Sequence, residues 1–256
     1  MNKNDLLNQI RKVTQILTKK SLSTRYNFPK EITLGELVWE NYQNIAFSLK
    51  EEPYDIMYEA CRKEGDYNLM LLDGAIIQMK YRFNKRQLLS HVLAFYPNPD
   101  LENFQDNPEY EAEHYDSNKL FTDIIDKSVV PFPIRFDYDD ESHTDCEHPK
   151  VHATLGNNKN CRIPVSHPIS PNRFILFILR NFYFEKFKET FQEDIKKELQ
   201  QKLDRVNFKG KTKVEIEKLT LKIENELLNN QFDCNLKMVE TISPNEKNLI
   251  HFSSYK

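Results

Sequence analysis

Leu6, Ile10, Val13 and Leu17 recur every three or four positions along residues 4–18, with Leu7 beside them. That spacing places them on one stripe of an amphipathic helix. A second helix is expected over residues 33–49. Thr33 serves as its cap, Glu36 completes a capping box, and Leu34, Leu37, Val38, Ile45, Phe47 and Leu49 supply its apolar side. The period changes near Tyr67. The runs 68–72 and 75–83 are separated by Asp73-Gly74, a strong hairpin signal because Gly accepts the positive φ of a tight turn. In the second run Ile77, Met79, Tyr81 and Phe83 alternate with Gln78, Lys80 and Arg82, the pattern of a half-buried antiparallel strand. A third strand is expected over 87–96, stopped by Pro97 and Pro99.

Residues 98–118 are acidic and poor in aliphatics, as expected of a surface loop or lid. Residues 132–138 read as a strand, with Pro131 and Pro133 favouring its start or an edge. A second hairpin joins 151–155 to 161–165 through Gly156-Asn157-Asn158-Lys159-Asn160. Ser170 before Pro171 opens a helix carrying Phe174, Ile175, Phe177, Ile178, Leu179, Phe182 and Tyr183, apolar enough to pack centrally on the sheet. From Glu185 the chain is charged and helical, with a break near 206–211 and another helix near 216–228. The expected fold is α+β: a mostly antiparallel sheet built from hairpins, a central helix, and N- and C-terminal helices. Residues 1–60 read as a helical segment packed on the main domain, 61–183 as the sheet core, and 184–256 as a charged helical extension.

Composition narrows the possibilities. At 256 residues and 39% hydrophobic content, the chain can bury a sizeable core without a disulfide or a structural metal. Five glycines and no glycine-rich phosphate-loop motif argue against nucleotide-binding folds built on such loops. The net charge of −3 supplies no global basic field for nucleic acid, although the N-terminal helix is locally basic. The first residues carry no apolar run of the signal-peptide type and no later run spans a bilayer. A cytoplasmic protein with reduced cysteines and no membrane partner is expected.

The chemistry is concentrated in one stretch. Four of the seven histidines, His143, His148, His152 and His167, fall between 143 and 167, together with Cys146 and Cys161. With Val151 and Ala153 facing the core, the period of two turns His152 to the other side, and Arg135, Asp137 and Asp139 share a face of their own strand. Four readings compete. In the first, the site cleaves phosphodiesters in ribonuclease fashion: His152 is the main acid or base, Asp137 fixes its tautomer, Arg162 holds the phosphate, and His148 or His167 is the second proton carrier. This reading requires no cofactor, and RNA or another phosphodiester is its substrate. In the second, Cys146, His148, His152 and Cys161 hold zinc, or Asp137 and Asp139 join His152 at a harder cation. The third is a noncatalytic surface for a protein partner. The fourth is purely structural, with His148-Pro149 and His167-Pro168 as turns.

The segments 130–137, 148–156 and 161–165, with the Asp73-Gly74 hairpin and 171–183, resemble the bacterial family called domain of unknown function 2290. The resemblance covers most of the chain. It implies a setting in mobile or defence-associated bacterial gene sets, where an immunity or antitoxin-like role is the alternative to a nuclease. It singles out Arg135, Asp137, His148, His152, Gly156 and Arg162 as the motif positions.

Overall fold

A computed structural model describes residues 2–32, 35–100, 132–145, 147–156, 161–206 and 212–230. The elements are α1 (Lys3–Lys19), β1 (Ser23–Tyr26), β2 (Pro29–Glu31), β3 (Glu36–Trp39), α2 (Ile45–Ser48) and α3 (Tyr54–Glu64). They continue as β4 (Leu69–Leu71), β5 (Ile76–Asn84), β6 (Gln87–Tyr96), β7 (Ile134–Asp139), β8 (Val151–Leu155) and β9 (Ile163–Pro164). Helices α4 (Pro171–Phe182), α5 (Phe184–Leu203) and α6 (Lys213–Asn230) complete them. Among the described residues nine strands form one antiparallel sheet in the order β1-β4-β5-β6-β7-β8-β9, and the β2–β3 hairpin joins it where β3 pairs β5. The fold is α+β. The acidic stretch expected at 98–118 lies almost wholly outside the described residues.

One sheet face is the main core. Ile77, Met79, Tyr81 and Phe83 of β5 point into it with Leu93 and Phe95 of β6, Phe136 of β7, and Val151 and Ala153 of β8. The α1 stripe Leu6, Ile10, Val13 and Leu17 is fully buried against this face, each side chain stabilising the fold by about 1.5–3 kcal/mol. Helix α4 lies across the same face. Ser170 accepts from the Arg173 amide to cap it, and its phenylalanines meet the sheet edge-on or stacked: Phe136–Phe177 at 5.2 Å, Phe95–Phe182 at 5.3 Å. Phe187, Phe191, Ile195, Ile223 and Leu227 of α5 and α6 join the same core, so the charged C-terminal helices close this sheet face.

The expected helix over 33–49 is corrected. Residues 36–39 are strand β3, and only 45–48 form a short helix, α2. The strand is buried on both faces, with Leu37 and Val38 at 0% and Trp39 at 2% exposure. A short two-sided strand has no period of two to read, and its apolar spacing imitates a helix. The stretch 1–60, expected as helical, therefore contributes three strands to the sheet. Gly35 enters β3 at φ +99°, where a Cβ would lie 2.5 Å from the Phe83 carbonyl oxygen, a position open to glycine alone.

The opposite sheet face is covered over only part of its area. Met57, Tyr58 and Cys61 of α3 pack on Met70, Ile76, Ala94 and Tyr96. The loop leading into α2 is held by the buried Asp66 carboxylate, which accepts from Trp39 Nε1 (2.9 Å), the Gln43 amide (2.9 Å) and the Ile45 amide (2.7 Å). Replacing Asp66 with alanine orphans all three donors and is expected to cost about 3 kcal/mol. Urea denaturation measures this, and a variant with an unshifted midpoint would show that the latch contributes nothing.

Beyond α3, the same face stays polar. Register aligns its residues in rows across the strands. Lys80, Val92, Asp137 and His152 form one row, ending at Pro164. Glu36, Arg82, Ser90 and Asp139 form the next. This open half-face carries the candidate site.

Candidate functional site on the open sheet face

His152 sits in the middle of β8, opposite Asp137 of β7. The alternation of Val151 and Ala153 into the core forces both side chains onto the polar face. Its Nδ1 is 3.1 Å from the Pro149 carbonyl oxygen, and its Nε2 is 3.6 Å from Asp137 Oδ2. A carbonyl only accepts, so Nδ1 carries the proton of this contact. Burial pushes the imidazole below its ordinary value and outweighs the Pro149 carbonyl and Asp137, which favour the charged ring. At neutral pH the ring is therefore uncharged, with a bare Nε2 turned toward Asp137. The 3.6 Å approach is a contact between a lone pair and a carboxylate rather than a salt bridge.

Asp137 in turn accepts from Arg135 Nε at 2.7 Å. The two lie two residues apart on one strand face, which puts their side chains side by side. Arg135 engages Asp137 through Nε, which leaves its two outer guanidinium nitrogens outside this bond, and 44% of its side chain is exposed. Asp139 stands one row further. Although burial opposes it, hydrogen bonds from Ser142 and the Glu141 amide hold its carboxyl below the usual range.

Two backbone bonds between Thr144 and His148 close a small turn after β7, and Lys150 anchors its base by an ion pair to Asp140 at 2.7 Å. This turn sets the His148 ring edge-on to His152 with centroids 5.0 Å apart. His148 Nδ1 is shielded from solvent and has no hydrogen-bond partner among the described residues.

The structure thus brings together His152, His148 and Asp137, and adds Arg135. Two expectations change. His152 is 4% exposed rather than solvent-facing, because the turn bearing His148 and Pro149 folds over it. The guanidinium bonded to Asp137 is that of Arg135, while the charge of Arg162 acts on His152 and helps to hold its imidazole down. His152 pairs with Pro164, and two residues before Pro164 the exposed Arg162 donates from Nη1 to the Glu147 carbonyl oxygen at 3.4 Å. His167 bonds Ser166 Oγ through Nδ1 at 2.8 Å. Among the described residues it makes no hydrogen bond, ion pair or ring contact with His148, His152 or Asp137. Of the expected zinc set, His148 and His152 are in contact, Cys161 is a half-buried thiol, and Cys146 lies outside the described residues. Among the described residues no three His, Cys, Asp or Glu side chains are grouped to hold a metal ion.

Sequence reasoning passed over Lys80 and Arg82 as site residues. Their signal was the alternation of β5, which puts both on the face of Asp137 and Asp139. Lys80 Nζ donates to Tyr42 Oη at 2.7 Å, and Arg82 Nε donates to Ser90 Oγ at 3.2 Å.

Among the described residues no helix is long and apolar enough to cross a membrane. No curated protein and no solved structure matches the chain. Residues 22–254 match the family described as "Uncharacterized conserved protein (DUF2290)". The match spans most of the chain and takes in every residue of the open sheet face, and the chain belongs to this family.

Proposed function

We propose that the open sheet face cleaves phosphodiester bonds by general acid–base catalysis, with RNA as the substrate, in a bacterial defence or toxin–antitoxin setting. The observation that carries this reading is the bare His152 Nε2, held 3.6 Å from an Asp137 carboxylate that is itself clamped by Arg135. A neutral imidazole whose other nitrogen is fixed by a carbonyl accepts a proton at Nε2 and is charged only in passing, when Asp137 stabilises it. Arg135 offers its planar fork to the phosphate.

The reaction follows from those positions. Nε2 takes the proton from the 2′-hydroxyl, and that oxygen attacks phosphorus. The P–O5′ bond breaks, and the leaving oxygen takes a proton from His148. The products are a 2′,3′-cyclic phosphate and a 5′-hydroxyl, with no oxidant or reductant needed. The charge balance of this face also bears on the reading. Lys80, Arg82, Arg135, Lys150 and Arg162 are offset by Glu36, Asp137, Asp139, Asp140 and Glu141, which fits an enzyme making a few phosphate contacts rather than a high-affinity nucleic-acid binder.

The test is incubation of the purified protein with an oligoribonucleotide and with 2-hydroxypropyl 4-nitrophenyl phosphate, a diester that has the neighbouring hydroxyl but no base. Turnover giving a cyclic phosphate end is expected. Absence of cleavage of either compound across about pH 5–8 would remove the proposal.

A further inference from the structure

The row that ends at His152 continues in the other direction. Asp137 pairs with Val92, and Val92 pairs with Lys80. Neighbouring strands lie about 4.8 Å apart, so the Lys80 backbone stands roughly 14 Å from that of His152. One phosphate cannot touch both ends of the row. Between them Val92 is 36% exposed on an otherwise polar face. It is the step in the row left apolar and open, because α3 covers Ile76, Ala94 and Tyr96 further along.

The far end is built. Lys80 Nζ lies 4.8 Å from the centroid of the Tyr42 ring, while donating to its hydroxyl. Tyr42 is fixed edge-on to the buried Trp39 at 5.0 Å. Glu36 approaches Lys80 only to 3.7 Å, and Glu141 approaches Arg82 only to 3.6 Å. Both distances exceed those of charge-assisted hydrogen bonds, so neither cation is locked to its carboxylate. The sequence across the strands is therefore acid–base pair, apolar floor, aromatic wall, cation.

We infer that Val92, Tyr42 and Lys80 form a subsite for the nucleotide flanking the cleaved bond, its base over Val92 against Tyr42 and its outer phosphate at Lys80 with Arg82 alongside. This rests on the diester-cleavage reading and deepens it: the substrate is an oligonucleotide lying across the strands, not a small diester. Base-to-aromatic contact and a cation on the backbone together suit single-stranded nucleic acid of loosely specified sequence.

The experiment compares kcat/KM for a pentaribonucleotide with kcat/KM for 2-hydroxypropyl 4-nitrophenyl phosphate, in the full chain and in Lys80→Met and Val92→Asp. Thermal melting checks that each variant is folded. The full chain is expected to prefer the pentaribonucleotide, and each variant is expected to lose about tenfold of that preference, mostly through KM. A preference that is absent, or that survives in both folded variants, overturns the subsite. Turnover of the small diester with no turnover of the oligonucleotide overturns the subsite but leaves the cleavage chemistry standing. Turnover of neither overturns both.

Discussion

Replacing His152 with alanine is expected to lower kcat for oligoribonucleotide cleavage by about 10²–10⁴-fold, the range that a positioned general base supplies. Because His152 is buried and donates to the Pro149 carbonyl, the same change removes that donor and costs on the order of 1–3 kcal/mol of stability. Loss of activity through unfolding has to be separated from loss of the base. Asp137→Asn makes the separation. It keeps the shape of a side chain that is 16% exposed and removes only the charge that stabilises the imidazolium. A large fall in kcat without a comparable fall in thermal stability is expected.

The pH profile adds a second readout. His152 must be neutral to act as a base, and burial holds its protonation below the ordinary 6.5. The acid limb of kcat/KM should therefore fall off below that value rather than at it. Arg135→Lys should raise KM more than it lowers kcat, since an ammonium lacks the bidentate fork. A folded His152→Ala protein with full activity and an unchanged acid limb would end the assignment.

How much of this was legible in the sequence depended on whether each element had one face or two. Strands β5 and β6, helix α1 and helix α4 are half-buried, so their periods were readable, and Asp73-Gly74, Pro97 and Ser170-Pro171 marked their ends. The hairpin turn is confirmed in detail: Gly74 has φ +84°, and the buried Asp73 accepts from the Ala75 amide and the Tyr183 hydroxyl. Strand β3 is buried on both faces, so its sequence reads as helix. Helix α3 is not legible in the sequence although Pro53 precedes it and Gly65 ends it in the left-handed region. Its buried Met57, Tyr58 and Cys61 are too few and too mixed to stand out.

The site follows the same logic. A period of two placed Asp137 and His152 on one face, and register then made them neighbours. The burial of His152 was not legible, because it comes from a turn whose closure depends on backbone bonds between Thr144 and His148. Arg135, not Arg162, is the arginine bonded to Asp137. Residue type gives both arginines equal weight, and the side-chain bond from Arg135 Nε to Asp137 is what separates them.

The largest stability effect is expected from acid and comes from His91, on the core side of the same sheet. His91 pairs with Tyr81 across β5 and β6, and together they hold the chain entering α4. The Ile169 amide donates to His91 Nε2 at 3.0 Å, and the Ile169 carbonyl accepts from Tyr81 Oη at 3.0 Å. An amide only donates, so Nε2 is bare and the ring is neutral. Burial pushes this imidazole down from 6.5 to about 3. In the unfolded chain it takes up a proton below about 6.5, and in the fold only near 3. Between those values the unfolded state binds more protons, so stability rises with pH. The stability conferred by the neutral ring is whole above about 6.5, falls by roughly 1.4 kcal/mol per pH unit below it, and levels off near 3 after a loss of about 5 kcal/mol. Asp73, whose carboxyl burial raises, pulls the other way, and His152, which burial also lowers, pulls the same way, so the contribution of His91 has to be isolated. His91→Gln isolates it, because glutamine keeps an acceptor for the Ile169 amide and does not titrate. Urea unfolding at pH values from about 7.5 to 4.5 should show the unsubstituted protein losing about 3 kcal/mol more than the variant. Parallel stability curves for the two proteins would mean that His91 folds with its proton on, and the Ile169 amide would then need a different acceptor.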